Sequence, residues 1–141
     1  MVEFYIDSNV FFYARIMDRS YGRSCANVVR RVASKQLDAS TSVLVPIEVA
    51  NAMSKYGLAK DVPTEIHAIV SLGLEIYPIE AADASEAAEF FRETGVSPYD
   101  CLHASVIRKN GLKDIVSADK DFDKFEWLRR TDPRSIPGTP H

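Results

Sequence analysis

"VEFYIDSNVFFYARIMD", residues 2–18, is the stretch on which the fold turns. VEFYI (2–6) is short, apolar and rich in strand-favouring side chains, the pattern of a buried strand. SNVFFYARIMD (8–18) then moves to helical spacing, with Ser8 placed as a helix N-cap. Asp7 stands at the junction. A strand that hands over at once to a helix opens an α/β unit, and the rest of the chain repeats that alternation.

Working outward, YGRSCANVVRRVASK (21–35) is an amphipathic helix with Cys25, Val28, Val29 and Val32 at helical spacing. LDASTS (37–42) is a weak strand. VPIEVANAMSKYG (45–57) is a helix with Pro46 early and Gly57 as its stop. TEIHAIVSLG (64–73) is a helix, LEIYPI (74–79) a strand and DASEAAEFFRETG (83–95) a helix. SPYDCLHASVIRKNG (97–111) is a helix capped by Ser97, with Pro98 in its first position. DIVSA (114–118) is a strand and WLRRT (127–131) a last edge strand. The expectation is one α/β domain over residues 1–130 with a central, mostly parallel sheet of four to five strands. The remainder, 131–141, reads as a poorly ordered tail.

Composition narrows the function. The 141 residues are 46% hydrophobic and 26% charged, the balance of a soluble globule with a core of its own. Cys25 and Cys101 lie far apart and form no CxxC pair, which suits two free thiols in a reduced, cytoplasmic setting. No apolar run reaches the ~18 residues of a membrane span, and MVEFYID has no basic n-region of a signal peptide. A net charge of −3 and a pI of about 5.6 argue against a purely electrostatic nucleic-acid binder. They do not argue against an enzyme that gathers acid in its site and base around it.

The acids are distributed tellingly. Asp7 follows the first strand and Asp119 follows DIVSA, both at strand ends where parallel α/β sheets bind ligands. Glu48 and Asp100 open helices yet share faces with apolar neighbours, and an unpartnered buried carboxylate is costly. Taken singly, each has an ordinary reading: a first-turn acid favoured by the helix dipole for Glu48, a capping box for Asp100, a cap or loop residue for Asp7 and Asp119. Jointly, four acids from separate elements converge on one edge of the sheet, and such a cluster needs a compensating cation. Oxygen-only ligands suit Mg²⁺ or Mn²⁺, and that chemistry points to phosphodiester hydrolysis. VSADKDFDKF (116–125) begins with the D-x-D-x-D of a calcium loop, but Lys124 and Arg130 stand where an EF-hand needs Gly and Glu. A haloacid dehalogenase-type phosphatase would need D-x-D after the first strand, and here the stretch is Asp7-Ser8-Asn9.

YIDSNVFFY, VLVPIEVANAM, SPYDCLHASVIRKNG and IVSADKDFDKF, in that order, resemble the PIN-domain ribonucleases, and specifically the VapC toxins of VapBC toxin–antitoxin pairs. The resemblance spans residue 2 to about 125. It implies a three-layer α/β/α fold and a catalytic set of Asp7, Glu48, Asp100 and Asp119. Metal binding would fall to Asp7, Asp100, Asp119 and Asp123, with Asp121 less secure. Ser8, Asn9 and Ser117 would support the set, the Ser117 hydroxyl by bonding Asp119. Mg²⁺, or Mn²⁺ in its place, is the implied cofactor, RNA the substrate, and a VapB-like antitoxin and a second copy of the chain the partners. A PIN nuclease of RNA processing, or a PIN scaffold that binds without cutting, are the alternatives. Among the basic residues Arg15 is the best placed for substrate contact, and the rest, from Arg19 to Arg130, read as solvated surface or phosphate contacts. His103 reads as a packed helix residue with a local hydrogen bond, and His67 and His141 tell little. FFYARIM and EIHAIVSLGL hold the apolar surface expected at the dimer interface.

Overall fold

A computed structural model describes residues 2–136. Five short strands form one parallel sheet: β1 (Phe4–Ile6), β2 (Ala39–Ser42), β3 (Glu75–Tyr77), β4 (Asp114–Val116) and β5 (Arg129–Thr131). Six α-helices flank it: α1 (Ser8–Ile16), α2 (Gly22–Ala33), α3 (Leu44–Lys55), α4 (Val62–Val70), α5 (Ala81–Thr94) and α6 (Pro98–Lys109). The expected three-layer α/β/α architecture is the one observed. Each expected strand and helix is present, with ends shifted by up to three residues.

The strand order is β3-β2-β1-β4-β5, with all neighbours parallel. The chain builds outward from β1 through β2 to β3, then crosses back to lay β4 on the other side of β1. That reversal makes the carboxyl ends of β1 and β4 a topological switch point, the place where open parallel sheets form a crevice. Asp7 follows β1 directly, and Asp119 lies three residues beyond β4.

The core is continuous through both layers. Tyr5, Ile6, Ile115 and Val116 fill the central strands, Val10, Val28, Val45, Val49 and Met53 one face, and Ala104, Ile107, Phe122 and Phe125 the other. The polar strand β2 is nevertheless fully buried, which its weak apolar pattern did not suggest. Two of its three hydroxyls are bonded internally: Thr41 Oγ1 donates to the Ile6 carbonyl at 2.9 Å, and Ser42 Oγ lies 2.7 Å from Tyr5 Oη. Cys25 and Cys101 are buried free thiols. None of the helices among the described residues is long and apolar enough to cross a membrane.

Two local expectations are corrected. The α1 cap is Asp7 rather than Ser8: the Asp7 carboxylate accepts from the Ser8 backbone N–H, so Ser8 is the first helical residue. The tail expected from 131 is structured at least to Ile136. Thr131 belongs to β5, Pro133–Ser135 form a 3-10 turn and Ile136 is buried, because this segment closes over α2, where the Arg134 guanidinium lies over the Tyr21 ring at 4.4 Å. Residues 137–141, including His141, lie outside the described residues.

The α1–α2 corner is unusually close. Met17 ends α1 in the left-handed region, and a Cβ on Gly22 would stand 2.5 Å from the Met17 carbonyl carbon. That neighbour is backbone and cannot swing away. Gly22→Ala is therefore expected to destabilise by about 1–3 kcal/mol, a fall in Tm of roughly 3–10 °C. A thermal melt that is unchanged from wild type would refute the close approach.

Candidate acidic metal centre

Asp7 is held by the residues around it as a fixed acceptor. It is 4% exposed. Its Oδ1 accepts from Ser8 N–H at 2.8 Å, and its Oδ2 from Asn9 Nδ2 at 3.1 Å and Ser117 Oγ at 2.6 Å. Ser117 Oγ in turn accepts from the Asp119 backbone N–H at 3.0 Å and from Asn9 Nδ2 at 3.1 Å. The serine thus ties the ends of β1 and β4 together. The carboxylate it bonds is that of Asp7, and its bond with Asp119 is to the backbone N–H.

Two groups of ligand-type side chains meet at this crevice, each with donor atoms within 4.8 Å of one another: Asp7, Glu48 and His103, and Asp100, Asp119 and Asp121. Glu48 comes from the first turns of α3 and Asp100 from the first turn of α6. Asp119 caps the 3-10 helix Lys120–Lys124, accepting from the Asp121 N–H at 2.9 Å, so its capping role and its place in the cluster coexist. His103 Nε2 lies 2.6 Å from Glu48 Oε1 and 3.9 Å from Asp7 Oδ1, and Asp100, which feels the charges of both Asp7 and Asp119, links the two groups.

Three side chains meet partners that the sequence did not specify. Asp123 is turned away, paired with Arg130 at 3.0 Å, and Asp121 stands in the cluster instead. The 3-10 geometry of 120–124 explains this: three residues per turn swing alternate side chains off a common face. Arg15 lies two turns along α1 and is engaged by Asp61 at 2.8 Å and Glu65 at 3.8 Å. His103 is fully buried and hydrogen-bonded, as a packed histidine would be, but its partner is Glu48 rather than a structural group. The signal that could have found it is Glu48 itself: a carboxylate on a buried stripe needs a donor, and His103 follows Asp100 by one helical turn.

The electrostatics are those of crowded acid. Burial foremost, then a shared hydrogen bond with Asp119 and the charges of Asp7 and Asp119, push Asp100 up to about 8 against the pull of His103. Burial likewise raises Asp7, opposed by His103 and the Ser117 hydroxyl. For His103, burial disfavours the cation, but the Glu48 hydrogen bond and the charges of Asp7, Glu48 and Asp100 outweigh it and raise its pKa. A carboxyl held that high by burial among other acids marks a site short of positive charge, and a divalent cation would fit it.

Such a carboxylate cluster, at the switch point of a parallel α/β sheet, is a candidate metal site. The profile of the PIN domain matches residues 4–128, and the chain belongs to that family. Among solved structures it is similar to VapBC2 of Rickettsia felis bound to a DNA fragment from its promoter, with 19% identity, TM-score 0.68, and 92% of this chain and 98% of that one covered. It is also similar to Mycobacterium tuberculosis VapC20, a sarcin–ricin loop cleaving toxin, with 18% identity, TM-score 0.71, and 85% and 92% covered. VapBC-1 of nontypeable Haemophilus influenzae matches with 12% identity, TM-score 0.66, and 94% and 98% covered. No curated protein sequence matches the chain.

Proposed function

We propose that this chain is a Mg²⁺- or Mn²⁺-dependent endoribonuclease acting as the toxin of a cytoplasmic toxin–antitoxin pair. The observation that supports it most is the convergence of Asp7, Glu48, Asp100 and Asp119 on one crevice, with Asp100 raised by burial and then by its acidic neighbours. The PIN family and the toxin–antitoxin structures among the similar folds support the same reading.

Asp7, Asp100 and Asp119, with Asp121 beside them, would hold the cation. Once bound it would supply charge neutralisation at the scissile phosphate and a more acidic water. The protein's own contribution is placement. Ser8, Asn9 and Ser117 keep both Asp7 oxygens oriented, and Glu48 faces the same crevice. Glu48 is suited to accept a proton from the attacking water, being partly exposed and not bonded to the other acids. Purified protein with Mn²⁺ is expected to cut single-stranded RNA, and EDTA to stop the reaction. Tight RNA binding without any cleavage in Mn²⁺ would favour the silent scaffold instead.

Assembly belongs to the same proposal. The segments expected to form the dimer face are partly covered: Phe11 and Ile69 are buried and α1 lies against α2 and α3, while Met17 and Val70 remain 58% and 54% exposed. The larger exposed apolar side chains near the site are Ile47, Phe91 and Tyr99, at 60%, 47% and 63% exposure. Ile47 and Tyr99 line one hollow beside Glu48, and Phe91 and Tyr99 line the next. A homodimer through this surface would set two acidic crevices on one side, and an antitoxin helix with a basic side chain would neutralise them. Light scattering is expected to give twice the 15.7 kDa chain mass. A monomer at tens of micromolar would rule the dimer out.

A further inference from the structure

Beneath the acidic crevice runs a chain of buried hydrogen bonds that the proposed hydrolysis does not itself use. Tyr5 on β1, Ser42 at the end of β2 and His103 on α6 are each 0% exposed. Tyr5 Oη lies 2.7 Å from Ser42 Oγ and 2.6 Å from His103 Nδ1, and His103 Nε2 lies 2.6 Å from Glu48 Oε1. Three short bonds in series therefore run from the interior of the sheet to one oxygen of a site carboxylate.

The protons can be placed by elimination. An ionised carboxylate only accepts, so Nε2 carries the hydrogen of the Glu48 bond. Nδ1 then has two options. It can accept from Tyr5, in which case Ser42 donates to Tyr5. Or it can donate to Tyr5, which then donates to Ser42. Tyr5 has one hydrogen and two partners, and either arrangement satisfies all three groups. In both, the Nε2–H points at Glu48. The ring is also held in place by packing, edge-on to Tyr5 with centroids 5.6 Å apart and against Phe122 at 6.4 Å.

We propose that Tyr5 and His103 are positioning residues that fix the Glu48 carboxylate by occupying Oε1, so that Glu48 offers the site one oxygen, Oε2. The inference rests on the nuclease reading for its effect on turnover, but not for the hydrogen-bond arrangement itself. It explains two features. The imidazole Nε2–H stands by both carboxylates, 2.6 Å from Glu48 Oε1 and 3.9 Å from Asp7 Oδ1, and so offsets the repulsion between two close like charges. And β2 ends in a buried serine, where an apolar side chain would pack equally well but leave Tyr5 one partner short.

The Tyr5 hydroxyl bonds to Ser42 and His103 rather than to an acid, which makes Tyr5→Phe the informative variant. Loss of its hydroxyl is expected to lower kcat for RNA about 10-fold with KM unchanged, the size of effect of an outer hydrogen bond to a metal-site residue. His103→Leu is expected to lower kcat by about 100-fold and to weaken Mn²⁺ binding, followed by electron paramagnetic resonance, about 10-fold. His103→Gln, whose amide N–H can take the place of Nε2–H, is expected to recover most of both. The wild-type protein provides the readout that depends on no variant and no catalysis. In ¹⁵N-labelled protein the His103 Nε2 should carry a slowly exchanging proton from pH 6 to 8. A bare Nε2, or a Tyr5→Phe protein with unchanged kcat, overturns the proposal. If the wild type cuts no RNA at all, the nuclease reading falls alone, and the Nε2 proton and the Mn²⁺ affinity of the variants still decide the relay.

Discussion

Asp7→Asn is expected to abolish RNA cleavage, by on the order of a thousand-fold or more, in a protein that still folds. The size follows from the role: charge stabilisation through a bound divalent ion is worth several kcal/mol, and about 4 kcal/mol is about a thousand-fold in rate. The fold should survive because two opposing effects nearly cancel. The carboxylate accepts from Ser8, Asn9 and Ser117, and an amide in its place turns one acceptor into a donor facing a donor. Against that, the substitution removes a buried charge whose pKa burial already raises. A net change within about 1.5 kcal/mol is the expected balance. The decisive measurement is sequencing of RNA ends after induction of wild type and of Asp7→Asn. New ends should appear only with the wild type, and an identical pattern from both would refute the nuclease assignment.

The second large effect is on stability, and it needs no RNA. Asp100 is raised from the ordinary carboxylate range to about 8, and Asp7 and His103 are raised as well. A group whose pKa is higher folded than unfolded favours the folded state below its unfolded pKa. That contribution is lost as pH climbs through the folded value. All three groups act in this direction, so the metal-free protein should lose stability steadily from about pH 4 to about pH 8. Mn²⁺ or Mg²⁺ at roughly a hundred times its dissociation constant should then return about 2.7 kcal/mol at pH 8, a rise in Tm of about 5–10 °C. Asp100→Asn should flatten the pH dependence and remove most of the metal response. A metal-free melt that is highest at pH 8, or a full metal response in Asp100→Asn, would show that the crevice is not the cation site.

The acids were legible in the chain because each is anchored to a local signal. Asp7 and Asp119 sit at strand ends, and Glu48 and Asp100 sit in helix starts on faces that should be apolar. A charged residue in such a place is anomalous without a ligand or partner, and the anomaly is visible without knowing where the chain goes. The neighbouring roles were not legible in the same way. Whether Asp121 or Asp123 accompanies Asp119 depends on a single 3-10 turn and on Arg130 reaching back across it to Asp123. The exposed apolar surface could not be located either: FFYARIM looks equally available along its length, and only the packing of α1 against α2 and α3 decides that Phe11 is covered while Met17 stays exposed.

What the sequence determined by itself is the alternation of strand and helix, the parallel α/β class and the four acids at element ends, because period, cap and turn chemistry act over a few residues. What only the tertiary structure decided is the strand order, and with it the meeting of residues far apart in the chain. Placing β4 beside β1 brings Ser117 to Asp7, and packing α6 against the sheet brings His103 between Tyr5 and Glu48. His103 carried no local mark of its role. A histidine on a buried helix face packs well with many partners, and which ones it meets is set by burial of the whole core rather than by any pattern around it.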